Sequence, residues 1–277
     1  MDGKALAEKV RGEVAKDVEE LGSLGLATIL VGDDPASDVY VSLKHKDANE
    51  VGMRLIDKRL PANTPEDDVL ALVEELNADD GVDGLLVQTP LPDHLDEFTI
   101  LSSVRPEKDV DGLTPQNAGL LYLGRNGHVG ATPLGVMRLL TEYRVPTAGA
   151  RAVVVGRSPI VGKPMALLLL QANATVTVCH SRTDDLARHT LDADILVAAV
   201  GVPGLITGDM VKAGSTVIDV GITRTDAGLV GDVDQSVAEL AAYVTPVPGG
   251  VGPMTRAMLL ASTVKAARYR RGLLPFP

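Results

Sequence analysis

Tyr40 and Lys44 stand four residues apart in the stretch YVSLKHK, so on a helix their side chains meet on one face. A lysine held among apolar groups and away from water loses pKa and can act as an acid, a base or a positioning group. Most tyrosine–lysine pairs at this spacing are surface packing, and a solvated helix face is the competing reading. Gln88 closes the apolar run GLLVQ, where an amide can hydrogen-bond a lysine amine or a ligand. Pro90 and Pro92 fix the turn that follows. Asp109 and Asp111 in KDVDG offer carboxylates, one of which can hold an amino-pyrimidine edge through paired N–H groups. A turn or cap role competes for each, and for Asp109 in particular.

A second constellation is VVVGRSPIVGKP, residues 153–164, which reads as a strand entering a glycine turn and then a helix. It lacks the G-x-G-x-x-G fingerprint but keeps its physics. Gly156 serves the tight turn, Gly162 allows close packing, and a helix N-terminus is aimed at the turn. A P-loop needs four residues between its glycines and a Ser or Thr after the Lys. Here five lie between Gly156 and Gly162, and Pro164 follows Lys163, so that motif is excluded. The next strand ends in CHSRT, with no carboxylate until Asp184 to hold ribose hydroxyls as in an NAD binder. Ser181 and Arg182, with Arg157 from the first turn, can instead hydrogen-bond and neutralise a 2′-phosphate. NADP is therefore expected over NAD; ordinary surface arginines are the competing reading. His45, His94, His128, His180 and His189 are scattered and suggest no metal site. His45, on a different face from Lys44, reads as a surface residue.

These groups need rigid supports, and the sequence supplies them by alternating helix and strand. Apolar residues at helical spacing over 3–21 end at Gly22, and LATILVG over 26–32 reads as a buried strand. The helix carrying Tyr40 and Lys44 stops near Gly52, MRLIDKRL is a second strand, and TPEDDVLALVEELNA a capped helix with an acidic first turn. In the second half ARAVVVG, ATVTVC, ADILVAAVG and STVIDVG are short apolar strands separated by helix-length segments. That order predicts a doubly wound parallel sheet. A last helix is expected from Arg256 onward. The fold class is α/β in two lobes, with the boundary near residues 124–131.

Composition agrees with that architecture. A chain of 277 residues has room for two cores. With Trp 0 and Phe 2, those cores are built from Val, Leu, Ile and Ala, which suits parallel strands covered by helices. Net charge −11 argues against nucleic-acid binding, which needs a basic stripe. No apolar run is long enough to span a membrane, and the charged start is no signal peptide. The single Cys179 rules out an internal disulfide and fits a reducing, cytoplasmic compartment.

YVSLK, GLLVQTPLP, KDVDG, GRSPIVGKP and TPVPGGVGPMT, in this order and over almost the whole chain, resemble the signature blocks of the bifunctional methylenetetrahydrofolate dehydrogenase/methenyltetrahydrofolate cyclohydrolases. The resemblance implies NADP-dependent oxidation of a tetrahydrofolate derivative followed by hydrolysis, in one-carbon metabolism, by a homodimer. It implies a folate-binding catalytic lobe over 1–130, a Rossmann-like NADP lobe over 131–254, and a helix over 255–277 returning to the first lobe. Lys44 would be the central catalytic residue, Gln88 would tune it, Tyr40 would pack on the aminobenzoyl region, and Asp111 would grip the pterin, in a cleft between the lobes. Val87 and Thr89 would flank the substrate with Gln88, and Pro248, Gly249, Gly250, Gly252 and Pro253 would border folate and nicotinamide. Gly156, Arg157, Ser158, Gly162, Ser181, Arg182 and Ile222 would hold NADP, with no metal. Three positions depart from the family pattern: Thr89 replaces a large aliphatic residue, Ala131 a cysteine, and Thr223 an asparagine.

Overall fold

The computed structural model describes residues 1–226 and 228–277, without the side chains of residues 35, 36, 37 and 39. The chain divides into two compact units. The first comprises Glu8–Ala131 with Arg256–Pro277, the second Met1–Ala7 with Thr132–Thr255.

In chain order the first half folds as α1 (Gly3–Leu21), β1 (Gly25–Val31), α2 (Pro35–Glu50), β2 (Arg54–Leu60), α3 (Glu66–Ala78), β3 (Gly84–Val87), α4 (Glu97–Ser102) and α5 (Pro115–Tyr122). The three strands form a parallel sheet in the order β2-β1-β3. β1 is buried along its whole length, which is why it reads as a continuous apolar run and not as an alternating one. Ala27, Ile29 and Val31 pack with Val69, Val73 and Leu76 of α3 and with Leu85 and Val87 of β3.

One local reading is corrected here and one element is added. The N-cap position of α3 is Pro65, which supplies no side-chain cap, while the Thr64 hydroxyl donates to Pro61 O at 2.7 Å. The start of α3 is favoured instead by Glu66, Asp67 and Asp68 in its first turn, opposite the helix dipole. The helix α5, not foreseen, has a legible start: Thr114 is the N-cap, accepting from Asn117 N, and Pro115 follows it.

The second half continues with α6 (Ala131–Glu142), β4 (Arg151–Val155), α7 (Gly162–Gln171), β5 (Thr175–Cys179), α8 (Leu186–Thr190), β6 (Ile195–Ala198), β7 (Thr216–Asp219), β8 (Thr223–Thr225), β9 (Gly228–Val230), β10 (Tyr243–Val244) and α9 (Val251–Arg270). A parallel five-stranded sheet runs β10-β7-β6-β4-β5. From β4 the chain moves outward to β5, then returns to β6 on the other side. That reversal creates the switch point at which doubly wound sheets bind ligands, beyond the strands' carboxyl ends. The four expected strands form; the two-residue β10 and the antiparallel hairpin β8–β9 are additions. The last helix starts at Val251 and not at Arg256, taking Gly252 and Pro253 into its first turn. Neither is out of place there, because the first N–H groups of a helix have no intrahelical acceptor.

Candidate active site

α2 and the end of β3 bring three of the predicted groups together in the first unit. Lys44 is 6% exposed, and its Nζ donates to Gln88 Oε1 at 3.0 Å. The same nitrogen lies 5.1 Å from the centroid of the Tyr40 ring, one helical turn back, within cation–π range. Gln88 is fixed from two sides: its backbone N–H extends the pairing to Ile29 O at 2.9 Å, and its Nε2 donates to Thr89 O at 2.7 Å. With Nε2 so engaged, Oε1 is the atom turned to the lysine. Thr89 precedes a cis bond to Pro90. Its part in orienting Gln88 is through the backbone, so the Thr for aliphatic departure leaves that bond intact. Val87 lies in the hydrophobic core, 4% exposed.

Burial lowers the Lys44 pKa from the ordinary 10.5, and the negative charge of Asp111 opposes part of that shift. Burial in turn raises Asp111, with Lys44 pulling it down and Asp109 pushing it up. Lys44 and Asp111 therefore sit in each other's field.

The pentapeptide KDVDG divides its labour by position. Lys108 is 1% exposed and donates to Leu76 O, Asn77 O and Asp79 O at 3.0, 2.8 and 2.8 Å, closing the C-terminal end of α3. Asp109 is buried and accepts from Thr114 N at 2.8 Å and Asn117 Nδ2 at 2.9 Å, anchoring α5. That is the turn-and-cap role that competed for it. Val110 is fully buried. Asp111 is the half-buried carboxylate of the set that faces Lys44 electrostatically.

The reading of His45 as a surface residue is corrected. Its Nε2 lies 2.8 Å from the Thr28 hydroxyl, buried at the centre of β1, and 3.8 Å from Asp57 Oδ1. It ties α2 to the sheet, and sequence offered only the polar Thr28 inside an apolar strand as a clue. An ion pair from Arg256 Nε to Asp47 Oδ2 at 3.1 Å, which joins α2 to α9, was not foreseen at all.

In the second unit β4 leads into the glycine turn. Gly156 has φ +128°, and a Cβ there would collide with Ala199 O; a Cβ on Gly162 would collide with Gly156 O. Both glycines thus let main-chain segments pack closer than any side chain would allow, making the tight strand–turn–helix junction that sets the start of α7 beyond β4. The Ser158 hydroxyl accepts from Val161 N at 3.2 Å and Gly162 N at 3.3 Å, so it braces the turn that enters α7 at Val161. After β5, Thr183 N bonds His180 O at 2.8 Å, forming a turn that leaves Ser181 and Arg182 exposed; Arg157 is exposed as well. Ile222 is 49% exposed, and its Cδ1 is 3.7 Å from where a Gly252 Cβ would stand. Pro248 follows a cis bond, Gly249 has φ +111°, and Gly250 N bonds Pro246 O at 2.8 Å just before α9. Pro248, Gly249, Gly250, Gly252 and Pro253 thus belong to the second unit, whereas Tyr40, Lys44, Gln88 and Asp111 belong to the first. Among the described residues no group of three or more His, Cys, Asp or Glu is placed to hold a metal ion, and no helix is long and apolar enough to cross a membrane.

Two family profiles cover most of the chain: the tetrahydrofolate dehydrogenase/cyclohydrolase catalytic domain over residues 1–111, and the NAD(P)-binding domain of the same family over 130–271. The chain belongs to the tetrahydrofolate dehydrogenase/cyclohydrolase family. A relative from Desulfovibrio desulfuricans, named bifunctional protein FolD, is 55% identical over 280 residues, covering 98% of this chain and 98% of its own. The crystal structure of the bifunctional enzyme FolD, methylenetetrahydrofolate dehydrogenase/cyclohydrolase, from Campylobacter jejuni matches with a TM-score of 0.96 at 49% identity, covering 97% of this chain and 98% of that one. The FolD structure from Trypanosoma brucei, complexed with NADP cofactor and inhibitor, matches with a TM-score of 0.93 at 42% identity, covering 99% and 97%. Membership of the family accounts for the α/β architecture and for the order of the signature blocks along the chain.

Proposed function

We propose that this chain oxidises 5,10-methylenetetrahydrofolate to the 5,10-methenyl form with NADP, and then hydrolyses that product to 10-formyltetrahydrofolate. The observation that carries the reading is the buried Lys44 amine, 3.0 Å from Gln88 Oε1, in a chain of this family. When bound, NADP supplies the hydride acceptor of the first reaction. The chain's part in that step is alignment, which is where most of the barrier reduction in such transfers resides. Gly156 and Gly162 keep the turn tight, so that the start of α7, where the helix dipole favours negative charge, is presented to the pyrophosphate. Ser158 holds that turn, Arg157, Ser181 and Arg182 meet the 2′-phosphate, and Ile222 borders the far end of the cofactor.

In the second reaction water adds to the methenyl carbon and the ring opens. Lys44 orients the water and carries its proton. At its ordinary pKa a lysine would stay charged; burial makes the neutral amine accessible, while Asp111 and Gln88 Oε1 favour the ammonium. Lys44 can therefore take up and return a proton within one turnover. Asp111 accepts the paired N–H groups of the pterin, and the Tyr40 ring packs on the aminobenzoyl group. The backbone of Val87 and Thr89 flanks the substrate beside Gln88. Pro248, Gly249, Gly250, Gly252 and Pro253, in the same unit as the glycine turn, border the nicotinamide end of the cofactor.

Two assays test this. Purified protein given methenyltetrahydrofolate alone is expected to hydrolyse it faster than buffer does, and given the methylene compound it is expected to reduce NADP. Failure of the first leaves a dehydrogenase, failure of the second a cyclohydrolase, and failure of both removes the reading. Replacing Asp111 by Asn removes the charge that raises Lys44, so the limb of the hydrolysis pH profile governed by Lys44 should move to lower pH, and the folate KM should rise. A limb that stays in place or moves upward contradicts the pairing of these two groups.

We also infer a homodimer working in the cytoplasm. β5 is the edge strand of its sheet; its Val178 is 40% exposed, and Leu170 of α7, the helix that packs on β5, is 58% exposed, an edge that pairing with a second copy would cover. Sedimentation equilibrium is expected to give twice 29.0 kDa; the monomer mass at micromolar concentration contradicts it. The lone Cys179, free and buried, is compatible with a reducing compartment.

A further inference from the structure

Two carboxylates in the second unit have no part in the reactions above. Asp219 closes β7 and Asp232 follows the β8–β9 hairpin; they are 4% and 0% exposed. Asp219 Oδ1 accepts from Gly221 N at 3.0 Å and Asp232 N at 2.9 Å, and its Oδ2 from Val233 N at 3.1 Å. Asp232 Oδ2 accepts from Val200 N at 2.7 Å and Gly201 N at 3.1 Å. Five backbone N–H groups from three separate segments thus converge on two side chains. These segments are the loop after β6, the turn after β7 and the exit of the hairpin. The Thr223 hydroxyl adds a longer bond to Gly201 O at 3.4 Å, joining the hairpin to the same loop.

The glycines nearby exist to admit these carboxylates. A Cβ on Gly221 would collide with the Asp232 carboxylate, and one on Gly231 with that of Asp219. The second oxygen of Asp232, Oδ1, is fully buried and has no hydrogen-bond partner. Burial, with the charge of Asp232 added, raises Asp219 to about 6. Without these acceptors five backbone N–H groups would be left without their partners, so the two side chains fix the course of three loops.

The location suggests what they serve. All three segments lie at the carboxyl ends of the strands, where a doubly wound sheet binds its ligand. The turn held by Asp219 leads directly into exposed Ile222, which reaches toward Gly252. We propose that Asp232, supported by Asp219, is a positioning residue for the NADP site, holding the Val200–Gly201 and Gly221–Ile222 backbone in the form that receives the cofactor. This rests on the reading that the chain uses NADP.

The test is NADP affinity by calorimetry on the full chain, with methenyl hydrolysis as a second readout that needs no cofactor. Asp232→Ala should weaken NADP binding at least tenfold and leave the hydrolysis rate within twofold of wild type. Asp232→Asn keeps an acceptor for Val200 N and Gly201 N and places its amide nitrogen where Oδ1 is unpartnered, so it should recover binding to within threefold. Gly221→Ala, which retains both carboxylates but presses Asp232 aside, should weaken binding as the alanine at 232 does. It carries the test if Asp232→Ala does not fold. NADP affinity unchanged in Asp232→Ala or Gly221→Ala, hydrolysis falling in parallel with binding, or an Asn variant no better than Ala would each overturn the proposal. Wild-type protein that fails to bind NADP would instead remove the underlying functional reading.

Discussion

Lys44→Met should lose methenyl hydrolysis by on the order of 10²- to 10⁴-fold, the range general acid–base groups contribute, while losing roughly tenfold or less in methylene oxidation. The asymmetry follows from what each step asks of the side chain. Water addition needs a group that moves a proton, and Lys44 is the buried amine placed to do so, hydrogen-bonded to Gln88. Hydride transfer needs alignment, which a methionine of similar length preserves in part. The substitution removes a desolvated amine and leaves no cavity, so the melting temperature should hold or rise slightly. Lys44→Arg separates proton transfer from charge: arginine stays protonated, and hydrolysis should remain low. Steady-state rates of both reactions check this. A Met variant that keeps both activities, or loses both equally, contradicts the assigned role.

The second large effect concerns the choice of dinucleotide. Arg157 and Arg182 are both exposed, one after β4 and the other after β5. A charge-assisted bond to phosphate contributes about 1.5–3 kcal/mol when well formed, and solvent exposure puts these two at the low end. Each is therefore worth roughly tenfold, and Arg157→Ala with Arg182→Ala should lower kcat/KM for NADP about 100-fold. The value for NAD, which has no 2′-phosphate, should change less than threefold. The NADP advantage in wild type should also shrink with added salt, because exposed charges are screened. Equal losses with both cofactors would show that the arginines support the fold and do not read the phosphate.

Much of this site was legible in the sequence because its signals are local. Gly156 and Gly162 mark a turn where any Cβ would strike a carbonyl, and that demand shows directly as residue type. Tyr40 and Lys44 share a face because helical spacing places them there. β1, β3, β4, β6 and β7 announced themselves as apolar runs because they are buried on both faces, whereas β2 and β5, at sheet edges, are exposed or half-buried over most of their length. What escaped was non-local or too short. KDVDG offered two aspartates two residues apart, and only the surrounding chain decides that Asp109 anchors α5 while Asp111 meets the field of Lys44. His45 looked solvent-facing because its partner Thr28 comes from another element, the strand β1. Asp219 and Asp232 are thirteen residues apart and meet only because a hairpin of three-residue strands folds between them. The start of α9 was placed late because Gly252 and Pro253 read as loop residues, yet the first turn of a helix tolerates both.

The central claim is that one chain performs both reactions in sequence, and one time course addresses it. Wild-type protein is mixed with 5,10-methylenetetrahydrofolate and NADP, with NAD in a parallel vessel, and the reduced-nicotinamide and methenyl absorbances are followed together. The expected result is reduced cofactor appearing without lasting methenyl accumulation, and faster with NADP. Methenyl rising in step with reduced cofactor would show that hydrolysis is absent, and no reduced cofactor at all would contradict the dehydrogenase assignment.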